Sequence, residues 1–499
     1  MNYDVIVVGG GPVGMMVAGE LALANVNVCV LERLEAATPY SRALTVHPRT
    51  LELLDLRGLK EELLKIGKPL PTGHFAGLEA RMNFEVIDSS SNYSLFIAQT
   101  ETEKILEKRA VQLGVEIRRG IEVLSVSQGA NAVKVVASGA NGPFTLSTAY
   151  VVGADGAGSI VRKQANIPFN GTDETLTAIQ GDVVLNNPPE SMVTSRFDER
   201  GMIMIVPVRD KLHRVVLIDP ERTSVPKNEP VTFEELRTGM IRMLGDDYGI
   251  SDPYWLTRFG NATRQAERYR EGRVFLAGDA AHIHFPAGGQ GMNVGLQEAM
   301  NLGWKLAAEI NGWAPAGLLD TYHEERLPVN TALLNNTRVQ TLLFGTDFSP
   351  TMIHLRNIIS DLLQSPEANY RLASQIAAVD IRYNTQGNIS EHGLNGFRLA
   401  EIKLRSQNGE SFSSYELFRE GKYVLLHLAS DERVEALIDE LPHQHIKTVS
   451  ATLVAPAQGW DDVHTALIRP DGYIEWAITG TEPDCLDRMQ QGIALTSKG

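Results

Sequence analysis

Residues 4–8, Asp-Val-Ile-Val-Val, form a short β-branched run that stops at a glycine cluster, and from Met15 to Ala24 the chain turns to helix formers. The pattern predicts strand, tight turn, helix. A second apolar run, Val26 to Leu31, ends on Glu32 and closes a β-α-β unit of about 30 residues, with strands apolar enough to be buried on both faces. Helical spacing returns over 101–113, stopped by Gly114, and strand-like stretches follow at 115–117, 122–127 and 132–137. Val151-Val152 then runs into a second glycine-rich turn. From about 178 to 220 the pattern becomes alternating strands, including Ile203 to Val208 and Arg214 to Ile218, as expected of a sheet in a second domain. Arg273 to Ala277 is again an apolar strand, leading through Gly278-Asp279 into a predicted helix from about Val294 to Glu309. Beyond Pro328 the composition is helical to about residue 379, and 384–397 is polar and glycine-bearing, as linkers are. The last hundred residues carry strands at 423–428 and 464–469, a helix around 431–440 and a turn at Pro470-Asp471-Gly472, which together predict a small α/β module.

A chain of 499 residues accommodates about three domains at roughly 150 residues each. Its 43% hydrophobic and 21% charged residues supply a substantial core and exclude global disorder. With 46 Lys and Arg against 61 Asp and Glu, the net charge of −15 has the wrong sign for nucleic acid or an anionic membrane. The two cysteines, Cys29 and Cys485, can build neither a disulfide framework nor a cysteine metal site, and they suit a cytoplasmic location. The N-terminus lacks the basic flank of a signal peptide, and no stretch reaches about 18 uninterrupted apolar residues, so no membrane span is expected.

The candidate chemistry lies in three glycine clusters. Gly9-Gly10-Gly11-Pro12-Val13-Gly14 contains G-x-G-x-x-G after a strand and before a helix, where glycines permit the turn, the approach of a pyrophosphate and helix–strand packing. Glu32, 23 residues after Gly9, ends the next strand, where it can bind an adenosine ribose lacking a 2′-phosphate, as in FAD or NAD. The second cluster, Gly153-Ala154-Asp155-Gly156-Ala157-Gly158, by itself reads first as an ordinary Asx-capped turn, with a cofactor site as the alternative. The third places Asp279 at a strand end and Pro286-Ala287-Gly288-Gly289-Gln290-Gly291-Met292-Asn293 before a helix, where a ribityl chain and an isoalloxazine ring can meet a carboxylate and free amides.

In this order the three clusters resemble the class A, para-hydroxybenzoate hydroxylase-like flavoprotein monooxygenases, over about residues 3 to 330. The resemblance is greatest to the branch acting on aromatic polyketides, rifamycins and phenols, in which a thioredoxin-like C-terminal domain follows. It implies an α/β protein with a Rossmann-type FAD-binding domain over 1–72, 97–177 and 268–395. A substrate-binding sheet domain over 73–96 and 178–267 and a thioredoxin-like domain over 396–499 complete the implied division. By the same resemblance Gly9, Gly11 and Gly14 hold the FAD pyrophosphate, Glu32 lies at the adenosine ribose, Arg42 and Gln99 contact FAD, and Pro12 and Arg33 are further cofactor-binding residues. Val123 lies beside the adenine, Asp155 and Gly156 match the aspartate-glycine motif tied to FAD and NAD(P)H, and Asp279 meets the ribityl chain. Gly289, Gln290, Gly291, Met292 and Asn293 border the flavin ring, and Pro286 is a further cofactor-binding residue. Phe285 and Ala287 depart from the family's usual proline and threonine.

The implied reaction uses FAD, NADPH or NADH, and dioxygen as co-substrate to hydroxylate a small aromatic molecule through a flavin hydroperoxide. The flavin carries the oxygen chemistry, so no catalytic acid or base is named. Baeyer-Villiger oxygenation or epoxidation on the same scaffold is the alternative within enzymes, and a non-catalytic flavin-bound partner protein the alternative outside them. A homodimer is compatible with the sequence. His282 and His284 lack the neighbours of a metal site and are expected to make local hydrogen bonds. Arg49 reads either as a structural ion-pair partner or as a lining of the substrate or nicotinamide path, and Phe197, Met202 and Met204 either as core or as cavity wall. Glu324-Glu325-Arg326 is expected to be a solvated helix end before Pro328.

Overall fold

A computed structural model of the protein describes residues 2–191, 193–345, 347–385, 389–428, 444–480 and 485–496. Val5, Ile6 and Val7 have no exposed surface, because the strand Tyr3–Val8 lies between parallel neighbours on both sides, Val28–Glu32 and Gly142–Gly153. Glu116–Arg119 extends this sheet beyond Val28–Glu32, and Val274–Leu276 extends it, also in parallel, beyond Gly142–Gly153. Double-sided burial explains why these strands read as unbroken apolar runs rather than as alternation. The helices Pro12–Leu23 and Gly291–Ile310 pack on each other beneath the sheet. Gln99–Gln112 is the helix expected at 101–113, and Gly291–Ile310 starts three residues before the expected 294.

Five antiparallel strands form the second sheet, in the order Thr194–Asp198, Gly201–Arg209, Leu212–Ile218, Thr177–Leu185, Ile250–Gly260. Ile203, Ile205, Val215 and Leu217 share one face with Leu236 and Met240 of the helix Phe233–Leu244. Met202, Met204, Val216 and Ile218 occupy the other face, as the two-residue period of a strand requires. The segment 73–96 adds no strand to this sheet. Thr72–His74 pairs with Arg81–Asn83, and Ser94–Phe96 with Thr45–Val46 and Lys68–Leu70.

Near the C-terminus six strands form one sheet, in the order Ser411–Ser413, Lys403–Ser406, Ile446–Leu453, Tyr423–His427, Val463–Ile468, Ile474–Thr479. Ile446–Leu453 and Tyr423–His427 are parallel and the other pairings antiparallel, with the helix Cys485–Ala494 following. A parallel pair extended by an antiparallel hairpin and a helix is the thioredoxin-like arrangement. The helix expected at 431–440 lies outside the described residues.

The expected solvated end at Glu324-Glu325-Arg326 is corrected by the structure. The helix Asp320–Gly345 runs straight through Pro328, and Arg326 is fully buried. Tyr322, Arg326, Asn330 and Leu334, four residues apart, form its buried face and sustain it past the proline. The side chain of Glu325 is enclosed by Arg469, at 2.7 and 2.9 Å, and by Lys305 at 2.7 Å. No helix among the described residues is long and apolar enough to cross a membrane.

Candidate active site

The three glycine clusters meet because each one ends a strand of the same sheet. Val8 lies opposite Leu31 on one side and Gly153 on the other, and Gly153 lies opposite Leu276. The turns that follow therefore open side by side at the carboxyl edge of a parallel sheet, where α/β folds bind ligands. A cavity of about 1110 Å³ starts there and continues to the apolar face of the five-stranded sheet.

The first turn is held by contacts only glycine tolerates. Gly9 has φ +105°, and a Cβ on it would stand 2.3 Å from the Ala154 carbonyl oxygen of the second turn. A Cβ on Gly14 would stand 2.0 Å from the Gly9 oxygen, so Gly14 sets helix against strand. Gly11 differs from both. Its Cβ would meet no atom within 4 Å, leaving open space over the start of a helix that has no side-chain cap. Both Glu32 oxygens accept backbone hydrogen bonds, from Gly10 N at 2.6 Å and Leu34 N at 2.8 Å, and each retains a lone pair for a ligand hydroxyl.

Asp155 caps its turn, and the residue also lines the cavity. Oδ2 accepts from the amides of Ile160 (2.7 Å) and Val161 (3.2 Å), the cap, while Oδ1 is buried without a hydrogen-bond partner. Burial raises its pKa, against the hydrogen bonds that lower it. The remaining lone pairs of Glu32, the space over Gly11 and the uncapped start of Gly291–Ile310 suit a dinucleotide with hydroxyl donors and an anionic pyrophosphate.

Of the residues expected from the sequence to bind the cofactor, all but Gly14 and Asn293 line this cavity. Asn293 is buried behind the wall. Its Oδ1 accepts from His47 N (2.7 Å), and its amide nitrogen donates to the carbonyls of Thr45 (3.0 Å) and Gly289 (2.9 Å). Gly288 and Gly289, at φ +69° and +64°, form the left-handed turn that this clip secures. His47 completes the clip: Nε2 donates to Gly288 O (2.8 Å) and Nδ1 accepts from Ser94 Oγ (3.1 Å). Burial lowers the His47 pKa to about 4, so the ring is neutral.

His282 makes the expected local bond, to Glu298 Oε1 at 2.9 Å. Glu298 also accepts from Gly278 N (2.7 Å) and Asn330, and although burial works the other way, His282 holds its pKa below the usual range. His284 lines the cavity, donating from Nδ1 to Phe285 O at 2.7 Å. Among the described residues no group of three potential ligands could hold a metal.

Met202 and Met204 line the cavity, whereas Phe197 packs on Phe348 and under the Arg356 guanidinium. Arg49 is a structural ion-pair partner, 3.0 Å from Glu52 and bonded to the Asp471 carbonyl at 2.8 Å. The sequence did not single out His74, Phe84, Val216, Ile218 or Phe259, which complete the apolar half of the wall. For Val216 and Ile218 the period-two alternation was an available signal; for His74 and Phe84 none was. Arg214 was also missed. Paired with Asp182 through two bonds of 2.8 and 2.9 Å, it donates to the carbonyls of Arg42 (2.8 Å) and Ser41, tying the sheet to the loop that carries Arg42.

One cavity thus joins a strand-edge dinucleotide cradle to the apolar face of a sheet. Comparison with known proteins agrees. Residues 2–337 match the family described as "FAD binding domain", and residues 392–494 the one described as "Aromatic-ring hydroxylase, C-terminal". The protein named "Uncharacterized aromatic compound monooxygenase YhjG", from Bacillus subtilis (strain 168), is 50% identical over 99% of this chain and 98% of its own. A rifampicin monooxygenase of Streptomyces venezuelae is 40% identical over the whole of both chains. Among solved structures, the OxyS anhydrotetracycline hydroxylase from Streptomyces rimosus superposes with a TM-score of 0.89 at 40% identity, covering 98% of this chain and 99% of that one. The chain belongs to the FAD-binding aromatic-ring hydroxylase family, and it is an FAD-dependent aromatic monooxygenase that uses dioxygen.

Proposed function

We propose that this enzyme hydroxylates a polycyclic phenolic compound, of the size of a tetracycline precursor or an ansamycin, with NADPH or NADH as electron donor. The carrying observation is one continuous cavity that joins the three glycine turns to the Met- and Phe-lined face of the second sheet. FAD, when bound, supplies the electron transfer and the activation of dioxygen. The chain's residues do the rest. The amides after Gly11 and the carboxylate of Glu32 hold the pyrophosphate and the adenosine ribose, Arg33, Gln99 and Val123 border the adenosine end, and Asp279 holds the ribityl chain. The free amides from Gly291 onward face the ring, and the Asn293–His47 clip keeps them in place. The apolar wall excludes water from the reacting end, which limits wasteful loss of reduced oxygen.

The test is NAD(P)H oxidation by the FAD-loaded protein with a panel of phenols, hydroxyanthraquinones and rifamycins under labelled oxygen. Stimulated oxidation with one labelled oxygen in a ring hydroxyl is the expected result. A ring-expanded or epoxidised product would replace hydroxylation with the alternative oxygenations, and absence of stimulation across the panel counts against the substrate class.

A further inference from the structure

The segment from Thr72 to Gly77 crosses the apolar end of the cavity and is clamped from behind. A Cβ on Gly73 would come within 2.9 Å of the Phe84 ring, and the His74 ring stands edge-on to Phe344 with centroids 5.9 Å apart. Ala76 and Gly77 take positive φ values of +50° and +61°. Arg356 holds that bend by donating to the carbonyls of Ala76 (3.0 Å), Gly77 (2.9 Å) and Leu343, while Gln340 Oε1 accepts from Ala76 N at 3.3 Å. His74 is thus presented from a fixed backbone.

Its tautomer follows from the same bend. Gly77 N–H donates to His74 Nδ1 at 3.3 Å, and an amide can only donate, so Nδ1 is the lone pair and the proton sits on Nε2. Burial, reinforced by Arg81 and His47, lowers the His74 pKa to about 4, so the ring is neutral. Among the described residues Nε2 has no hydrogen-bond partner; Met82, Phe84, Met202 and Phe344 line the same cavity, and Arg81 is near enough to act on the ring's charge. A group that can donate but not accept favours an ionised or carbonyl oxygen over a phenol hydroxyl seeking an acceptor.

We propose that His74 is a specificity-determining residue whose Nε2–H binds the phenolate oxygen of an acidic, carbonyl-conjugated phenol. This rests on the reading of the cavity as a site of aromatic hydroxylation. The substrate class it selects is the hydroxyaryl ketone, bound in its ionised form.

The experiment titrates FAD-loaded protein with alizarin, a dihydroxyanthraquinone whose visible absorbance reports ionisation of its phenol, at a pH where the free dye is mostly protonated. Bound to the wild type, the dye should show the phenolate band. His74→Phe, compared at equal flavin content, should lose the band and bind about tenfold more weakly, and His74→Gln, whose amide nitrogen reaches the same place, should regain both. An undiminished phenolate band in His74→Phe overturns the proposal. So does a wild type that binds the dye only as the phenol, a result that needs no variant and leaves the hydroxylase reading standing. A wild type that neither binds the dye nor oxidises NAD(P)H faster with any member of the panel overturns both.

Discussion

At Gly11 a side chain would touch no protein atom, and the backbone angles, φ −75° and ψ −176°, are open to any residue. The glycine is therefore not explained by the fold of the protein alone. Gly9 contrasts with it, since its φ of +105° and its approach to Ala154 make it structural. Gly11→Leu should leave the thermal stability of the apoprotein within about 0.5 kcal/mol of wild type, yet abolish retention of FAD, read as the flavin absorbance that survives gel filtration. A Gly11→Leu protein that stays fully yellow would remove the first turn from the pyrophosphate site. The motif was legible because each glycine does a separate steric job at fixed spacing. His74 and Asn293 were not equally legible. Asn293 was placed at the flavin ring, but its side chain is spent on His47, Thr45 and Gly289, partners that come together only when the chain is folded.

Within the strand Gly201–Arg209, adjacent residues belong to different environments. Ile205 is almost fully buried against the helix Phe233–Leu244, whereas Met204 looks into the cavity. Ile205→Ala should destabilise the protein by about 2–4 kcal/mol through the void it leaves, seen as a lower melting temperature with KM unchanged in the surviving protein. Met204→Ala should do the reverse, changing KM across a substrate panel with little loss of stability. Equal losses of stability from both would contradict the assignment of faces. Alternation in the sequence establishes that two faces exist, but which one meets a helix and which a cavity depends on a partner helix some thirty residues away. Phe197 illustrates the limit: its neighbour Phe348 and the Arg356 guanidinium reach it from the helical region near 350.

Over the whole molecule, the C-terminal module is anchored by charge as well as by apolar contact. Arg469 and Asp471, beside the turn predicted at Pro470-Asp471-Gly472, reach the long helices of the cofactor region, where Glu325 accepts from Arg469 and Lys305 and Asn301 bonds to both carboxylates. Arg57 adds a bond to the Pro470 carbonyl (3.0 Å) while paired with Glu20. The turn was readable locally, but the burial of Glu325 was not, because the residue that covers it lies 144 positions away. Burial alone would raise the Glu325 carboxyl, but Arg469 and Lys305 hold it at about 2, against 4.5 when free. Between those values the unfolded chain binds more protons than the folded one, so this contribution is complete above about pH 4.5 and is lost as pH falls towards 2. Glu325→Gln leaves Lys305 and Arg469 buried with Asp471 and Glu475 as nearby carboxylates, a change that costs about 3–5 kcal/mol near neutrality when a buried pair is broken. Melting followed by circular dichroism should therefore give Glu325→Gln a clearly lower transition at pH 7, with the gap from wild type closing as the buffer is taken below pH 4.5. A gap that stays constant down to pH 3 would mean that the ionised Glu325 does not hold the module in place, and that the apolar contacts of the interface carry it.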